Sequence, residues 1–258
     1  MNPKQWYTPG GYYYNHIQHM LNQAHLLIAG STGSGKSVLL NTLIYTALLK
    51  SPMRVEFILL DPKRVELIDY KPLPHTLIYA SEPPEIVHAL HHAIDLMETR
   101  YKAMQLHQEK KSKESDVYVI VDEFADLMTT QKKETFPMLV RIAQLGRAAN
   151  IHLILATQRP TSDIINGQIK VNIDSRVALR CPTSRDSQNI INTKGAETLP
   201  KYGFGYYLTS EGLQLIEIPY TKPNEIHQRI EHWTNQTKPK TILDRILDHI
   251  ENKQKTTR

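Results

Sequence analysis

The stretch Gly30-Ser31-Thr32-Gly33-Ser34-Gly35-Lys36-Ser37 fits the spacing G-x-x-x-x-G-K-[ST] at every fixed position. Glycines at these positions let backbone N–H groups curl around a phosphate. Lys36 is spaced to reach the β- and γ-phosphates of ATP, and the Ser37 hydroxyl to hold Mg²⁺. The apolar run 24–29 before it reads as a buried strand, and 38–44 after it as a helix. A helix that starts at the loop points its positive end at the same anion. Gly30, Ser31, Thr32, Gly33, Ser34, Gly35, Lys36 and Ser37 are therefore the candidate nucleotide cradle.

Two further strand ends carry matching chemistry. The apolar run Val117 to Val121 ends in Asp122-Glu123. In ATPases with this loop, the first carboxylate supports Mg²⁺, and an adjacent glutamate can orient and polarise the attacking water. The run Ile151 to Ala156 ends in Thr157-Gln158-Arg159-Pro160. Gln158 is placed to sense the γ-phosphate; a strand-end amide that caps a neighbouring loop is the plainer reading. A third run, Phe57 to Leu60, ends in Asp61-Pro62-Lys63-Arg64-Val65-Glu66-Leu67. Charges gather there, at the strand edge where open α/β sheets bind ligands.

Several elements must position these ends. Strands are expected over 76–79 and 176–180, with a long helix from Pro83-Pro84 to about Gln108 and further helices over 133–149 and 184–192. Residues 161–175 read as a polar loop with a short helix. Segments 203–208 and 213–218 alternate as a β-hairpin, followed by helices over 224–233 and 241–252. The fold class is α/β: a mostly parallel central sheet with helices on both faces, a C-terminal hairpin and two short helices. Residues 1–23 read as an arm whose tyrosines form a docking patch or, less simply, stack on a base. His88, His91 and His92 offer a zinc-like i, i+4 pair without a third ligand, so a solvated face is the default.

The chain has 258 residues, 40% of them hydrophobic, enough for one large core. No apolar run is long enough to span a bilayer, and the start does not resemble a signal peptide. The single cysteine, Cys181, excludes an intrachain disulfide and reads as a buried strand thiol. These features point to the cytoplasm. The net charge of +5 and pI near 9.1 suit a polyanionic partner.

Taken in order, 25–37, 60–67, 121–128, 143–148 and 156–160 resemble the motor domain of the FtsK/SpoIIIE DNA translocases. The resemblance covers about 24–220, leaving 1–23 as an N-terminal arm and 221–258 as a helical extension with a basic tail. It implies a RecA-like P-loop ATPase that forms a ring, usually a hexamer, around double-stranded DNA. Arg147 matches the arginine that reaches a neighbour's site in such rings. Arg159 and the loop to Asn172, including Lys170, match the segment that touches DNA phosphates. Ser184 stands where many relatives have a pore lysine, with Arg185 beside it. Asn150 replaces a glycine, Asp174 a proline and Phe204 an aspartate. Residues before 24 are expected to be too few for the membrane anchor of the cell-division members, and 221–258 too few for their winged-helix domain; a membrane-associated partner is a further expectation. On that ground a motor of a plasmid, phage or integrative element is expected, for conjugative transfer or DNA packaging. The alternatives are a ring ATPase that drives protein secretion and a non-catalytic nucleotide-gated DNA clamp.

Overall fold

The computed structural model describes residues 12–220 and 223–234. The chain order is α1 (Tyr12–Asn22), β1 (His25–Ala29), α2 (Lys36–Lys50), β2 (Val55–Leu60), β3 (Thr76–Ala80), α3 (Pro83–Leu106), β4 (Asp116–Val121), α4 (Phe124–Thr130), α5 (Lys132–Leu145), β5 (Ile151–Thr157), α6 (Gly167–Asn172), β6 (Ser175–Leu179), α7 (Ser184–Ile191), β7 (Phe204–Thr209), β8 (Gly212–Glu217) and α8 (Pro223–Thr234). The eight strands form one sheet in the order β3-β2-β4-β5-β1-β6-β7-β8. The first six run parallel, and β7 and β8 are antiparallel. Parallel strands covered on both faces read as continuous apolar runs, which is why β1 and β5 are buried at every residue.

Alternate side chains of these strands enter two separate cores. Leu27, Ile58, Val119 and Leu153 face a layer shared with Leu90 of α3 and Leu139 of α5. Leu26, Ile28, Leu59 and Ile120 face the opposite layer, shared with Leu40 and Leu43 of α2 and with Ile17, Met20 and Leu21 of α1. Period-2 alternation thus splits one sheet into two apolar surfaces, each closed by amphipathic helices.

The expected α/β fold is borne out, with local differences. The second half of the N-terminal arm is a helix that buries Ile17, Met20 and Leu21. Trp6 and Tyr7 lie outside the described residues, as do the expected helix over 241–252 and the tail after it. The helix expected over 133–149 stops at Leu145. Residues 146–150 turn the chain into β5 instead, closed by the Ile151 N–H on the Gly146 carbonyl at 2.9 Å. The buried Arg100 guanidinium donates to the carbonyls of Ala149 and Asn150, satisfying groups a continued helix would have used. Asn150 is left-handed, with φ 53°, a conformation asparagine tolerates. A separate helix, α4, follows Asp122-Glu123 directly. Cys181 is buried just past the end of β6. Burial pushes its thiol up to about 12. His88, His91 and His92 lie on an exposed face of α3, and no metal-ligating cluster occurs among the described residues.

Candidate nucleotide site

Four adjacent strands deliver the site. In the order β2-β4-β5-β1, Leu60 pairs with Val121, Val121 with Leu155, and Ala29 with Thr157. The residues just after these strands therefore emerge along one carboxyl edge: Asp61, Asp122, Gln158 and Gly30.

The loop after β1 is pinned at both sides. Gly30 N–H donates to the Thr157 carbonyl at 3.2 Å, and Ser31 N–H to the Arg180 carbonyl at 2.9 Å. A Cβ on Gly30 would meet Leu179 Cβ and Ser34 Oγ at 2.6 Å. Gly35, at φ 101°, takes the left-handed turn that starts α2. Thr32 donates its hydroxyl to Gln158 Oε1 at 2.7 Å, which ties the loop tip to the end of β5.

Lys36, 4% exposed, donates to the Asp122 carboxylate and, at 2.9 Å, to the Asp122 carbonyl. Burial pushes the Asp122 carboxyl above its ordinary range and Lys36 opposes this, while Glu66 and Asp61 add to the upward shift. Ser37 donates its hydroxyl to Glu66. Asp61 accepts from the Leu67 N–H at 3.0 Å through Oδ2, while its buried Oδ1 has no hydrogen-bond partner among the described residues. Hydroxyl and carboxylate oxygens of this kind fit Mg²⁺, which takes few protein ligands and completes its shell with phosphate and water. Ser37 and Asp122 are the residues that would hold it.

Glu123 is fully buried. Its Oε1 accepts from the Thr157 hydroxyl at 2.7 Å and from the Gln158 N–H at 3.1 Å. Its Oε2 accepts from Lys63 Nζ at 3.0 Å.

The structure brings together the loop, Lys36, Ser37, Asp122, Glu123 and Gln158. It does not bring Arg147 to them. Arg147 is exposed in the turn before β5, beside Gly146, where an added Cβ would meet the ring of His25 at the start of β1. The loop Gly30–Ser37 leaves the other end of β1. Five strand residues, roughly 3.3 Å each, separate the two ends. Arg159 and Arg185 are exposed, whereas Lys170 is half-buried and donates to Asn189 Oδ1 at 2.6 Å. Burial, followed by the charge of Arg176, lowers the Lys170 pKa. Glu66, Lys63 and Thr157 were not singled out by sequence reasoning. Their signal was the charge cluster after β2, and the threonine that precedes Gln158.

A phosphate loop at the edge of a parallel α/β sheet, with an Asp-Glu pair on the neighbouring strand end, defines the class of P-loop ATPases. The chain belongs to the FtsK/SpoIIIE family, whose sequence profile matches residues 10–116 and 105–162. The DNA translocase FtsK of Lactococcus lactis subsp. cremoris is 43% identical over 196 residues, covering 68% of this chain and 26% of that protein. FtsK of Vibrio vulnificus is 35% identical over 271 residues, covering 90% of this chain and 27% of that protein. The chain thus spans about a quarter of the length of these relatives. Among solved structures, the pCW3 conjugation coupling protein TcpA, in its monomer form with ATPgS, aligns at TM-score 0.72 with 25% identity, over 82% of this chain and 65% of that one. The cytoplasmic domain of the Thermomonospora curvata type VII secretion ATPase EccC aligns at TM-score 0.73 with 22% identity, over 84% of this chain and 29% of that one, a likeness of fold. No helix among the described residues is long and apolar enough to cross a membrane.

Proposed function

We propose that residues 24–220 form the motor domain of an ATP-driven double-stranded DNA translocase that works as a ring of copies, with six as the expected number. The observation that carries this reading is the division of the site. Lys36, Ser37, Asp122, Glu123 and Gln158 share one sheet edge, and Arg147 projects from the other. An arginine so placed serves a neighbouring copy rather than its own.

In this reading the loop N–H groups and the first turn of α2 bind the phosphates. Lys36 moves from Asp122 to the β- and γ-phosphates, which frees the Asp122 carboxylate. Ser37 and Asp122 would hold Mg²⁺, which would supply charge neutralisation at the phosphate oxygens. Glu123 orients the attacking water and takes its proton. Gln158, bonded to Thr32 across the loop, senses the γ-phosphate. The neighbour's Arg147 offsets charge in the transition state; arginine fingers contribute about 10³–10⁵ in rate in GTPases. Arg159, Arg185 and, once released from Asn189, Lys170 contact DNA phosphates, which carry no base code. The family membership, the relatives' description as DNA translocases and the net charge of +5 support DNA as the partner. Likeness to a conjugation coupling protein supports transfer of a mobile element's DNA as the setting.

The test is ATPase activity of the purified chain with and without linear duplex DNA. Stimulation that fades as salt rises is expected, with Lys36→Ala inactive under both conditions. A DNA-independent rate would overturn the DNA reading.

A further inference from the structure

Glu123 poses a problem for its own chemistry. A general base must offer a lone pair to the water it activates. Here all four acceptor sites of the carboxylate are taken: Oε1 by the Thr157 hydroxyl and the Gln158 N–H, and Oε2 by the same Gln158 N–H at 3.3 Å and the Lys63 ammonium at 3.0 Å. Thr157 is fixed at the end of β5 by its pairing with Ala29 of β1, and Gln158 follows it directly. Lys63 is different. It rides on the loop after β2, is 36% exposed and reaches Glu123 by a flexible stem.

A second destination lies beside it. The same ammonium is 4.0 Å from Asp126 Oδ2, on the first turn of α4. The other oxygen of Asp126 is 3.9 Å from the Arg159 guanidinium, which is 62% exposed. Glu123, Lys63, Asp126 and Arg159 form an alternating chain of charges that ends in solvent. A second path runs through the backbone: Arg159 N–H donates to the Thr157 hydroxyl at 3.1 Å, and that hydroxyl donates to Glu123.

We propose that Lys63 is a positioning residue that holds Glu123 in an idle state, and that Asp126 and Arg159 release it when a nucleic-acid phosphate binds. A phosphate that takes Arg159 leaves the Asp126 carboxylate short of a partner. Asp126 then draws Lys63 across, the Glu123 Oε2 lone pair that Lys63 held is freed, and the base can accept a proton from water. Arg159, in shifting toward the phosphate, also pulls on Thr157. Turnover thereby depends on the track, so nucleotide is not spent by an unloaded motor. This inference rests on the reading of Glu123 and Arg159 given under Proposed function, and adds the device that joins them.

The test measures kcat and KM for ATP with and without linear duplex DNA, in wild type, Lys63→Met, Lys63→Arg and Asp126→Asn. Coupling between sites commonly spans about 5–150-fold, which sets the scale. Lys63→Met should raise the DNA-free kcat several-fold, leave KM in place and bring the stimulation ratio close to one. Lys63→Arg should restore a low DNA-free rate and most of the stimulation, which a generic loss of packing would not do. Asp126→Asn should lower the stimulated rate while duplex affinity, read by fluorescence anisotropy, stays at the wild-type value because Arg159 is intact. If Lys63→Met lowers both rates with the ratio kept, or changes neither, the inference is overturned. A wild-type rate indifferent to DNA would overturn the reading under Proposed function and the inference together, whereas a stimulated wild type whose ratio survives in Lys63→Met overturns the inference alone.

Discussion

The Ser37 hydroxyl donates to the Glu66 carboxylate, joining the first turn of α2 to the loop that follows β2. Glu66 also raises the Asp122 pKa, so three carboxylates, Asp61, Glu66 and Asp122, act on one small region. Removing the Glu66 charge should weaken the pull on a divalent cation. Glu66→Gln is expected to raise the Mg²⁺ concentration for half-maximal ATPase activity by about three- to tenfold, the effect of about 1 kcal/mol of lost attraction. A magnesium titration checks this, and an unshifted midpoint would remove Glu66 from the site.

Glu123→Gln keeps the shape of the side chain and most of its hydrogen bonds but cannot take a proton. Loss of a general base lowers turnover by about 10²–10⁴. The variant should bind ATP as wild type does, read with a fluorescent analogue, while hydrolysis falls by that factor. Retained turnover would exclude Glu123 as the base.

Arg147 lies a strand length from its own Lys36, which gives a mixing experiment. Arg147→Ala and Lys36→Ala chains should each be inactive alone. Mixed, they form some interfaces with an intact Lys36 from one copy and an intact Arg147 from the next. Partial recovery of DNA-stimulated activity is expected. Full activity of Arg147→Ala by itself would sink the assignment.

Gly146 closes α5 because nothing larger fits. A Cβ there would sit 2.4 Å from the Ile151 carbonyl oxygen, 2.7 Å from that of Ile142 and 3.2 Å from His25 Cε1. Overpacking costs about 1–3 kcal/mol. For a chain of this size that is a Tm drop of about 2–12 °C for Gly146→Ala. The turn carrying Arg147 moves with it, so activity should fall further than stability alone explains. An unchanged melting curve would refute the packing argument.

His25 supplies a pH signature. Burial, then the charge of His152, lowers its pKa from 6.5 to about 3. Its Nδ1 accepts from the Leu153 N–H at 3.0 Å, so the ring is neutral in the fold. Between those two values the unfolded chain binds a proton and the folded chain does not. Stability is therefore full above about pH 6.5 and declines as pH falls toward 3, by at most about 1.4 kcal/mol per pH unit. Melting curves of His25→Gln should show a shallower acid slope than wild type; an equal slope would mean His25 does not contribute.

Much of this was legible in the chain because the informative residues are local. Gly30 to Ser37 and Asp122-Glu123 each follow an apolar strand, so type and spacing alone identified them. The hidden parts depend on contacts between distant segments. Lys63 meets Glu123 sixty residues on, because β2 and β4 are neighbours in the sheet, and no local pattern reports that adjacency. In α1 the apolar period of Ile17, Met20 and Leu21 was masked by the tyrosines ahead of it. The end of α5 is set by a space restriction at Gly146 and by the Arg100 side chain from α3, neither of which is written in 133–149.

Cys181 has a practical consequence. It is the sole cysteine of the chain, it is buried, and its thiol is held up near 12, so little thiolate forms at neutral pH. A surface cysteine placed at exposed Ser162, three residues from Arg159, would be the one reactive thiol. A dye attached there reports the motion of that segment directly, with the native cysteine left in place.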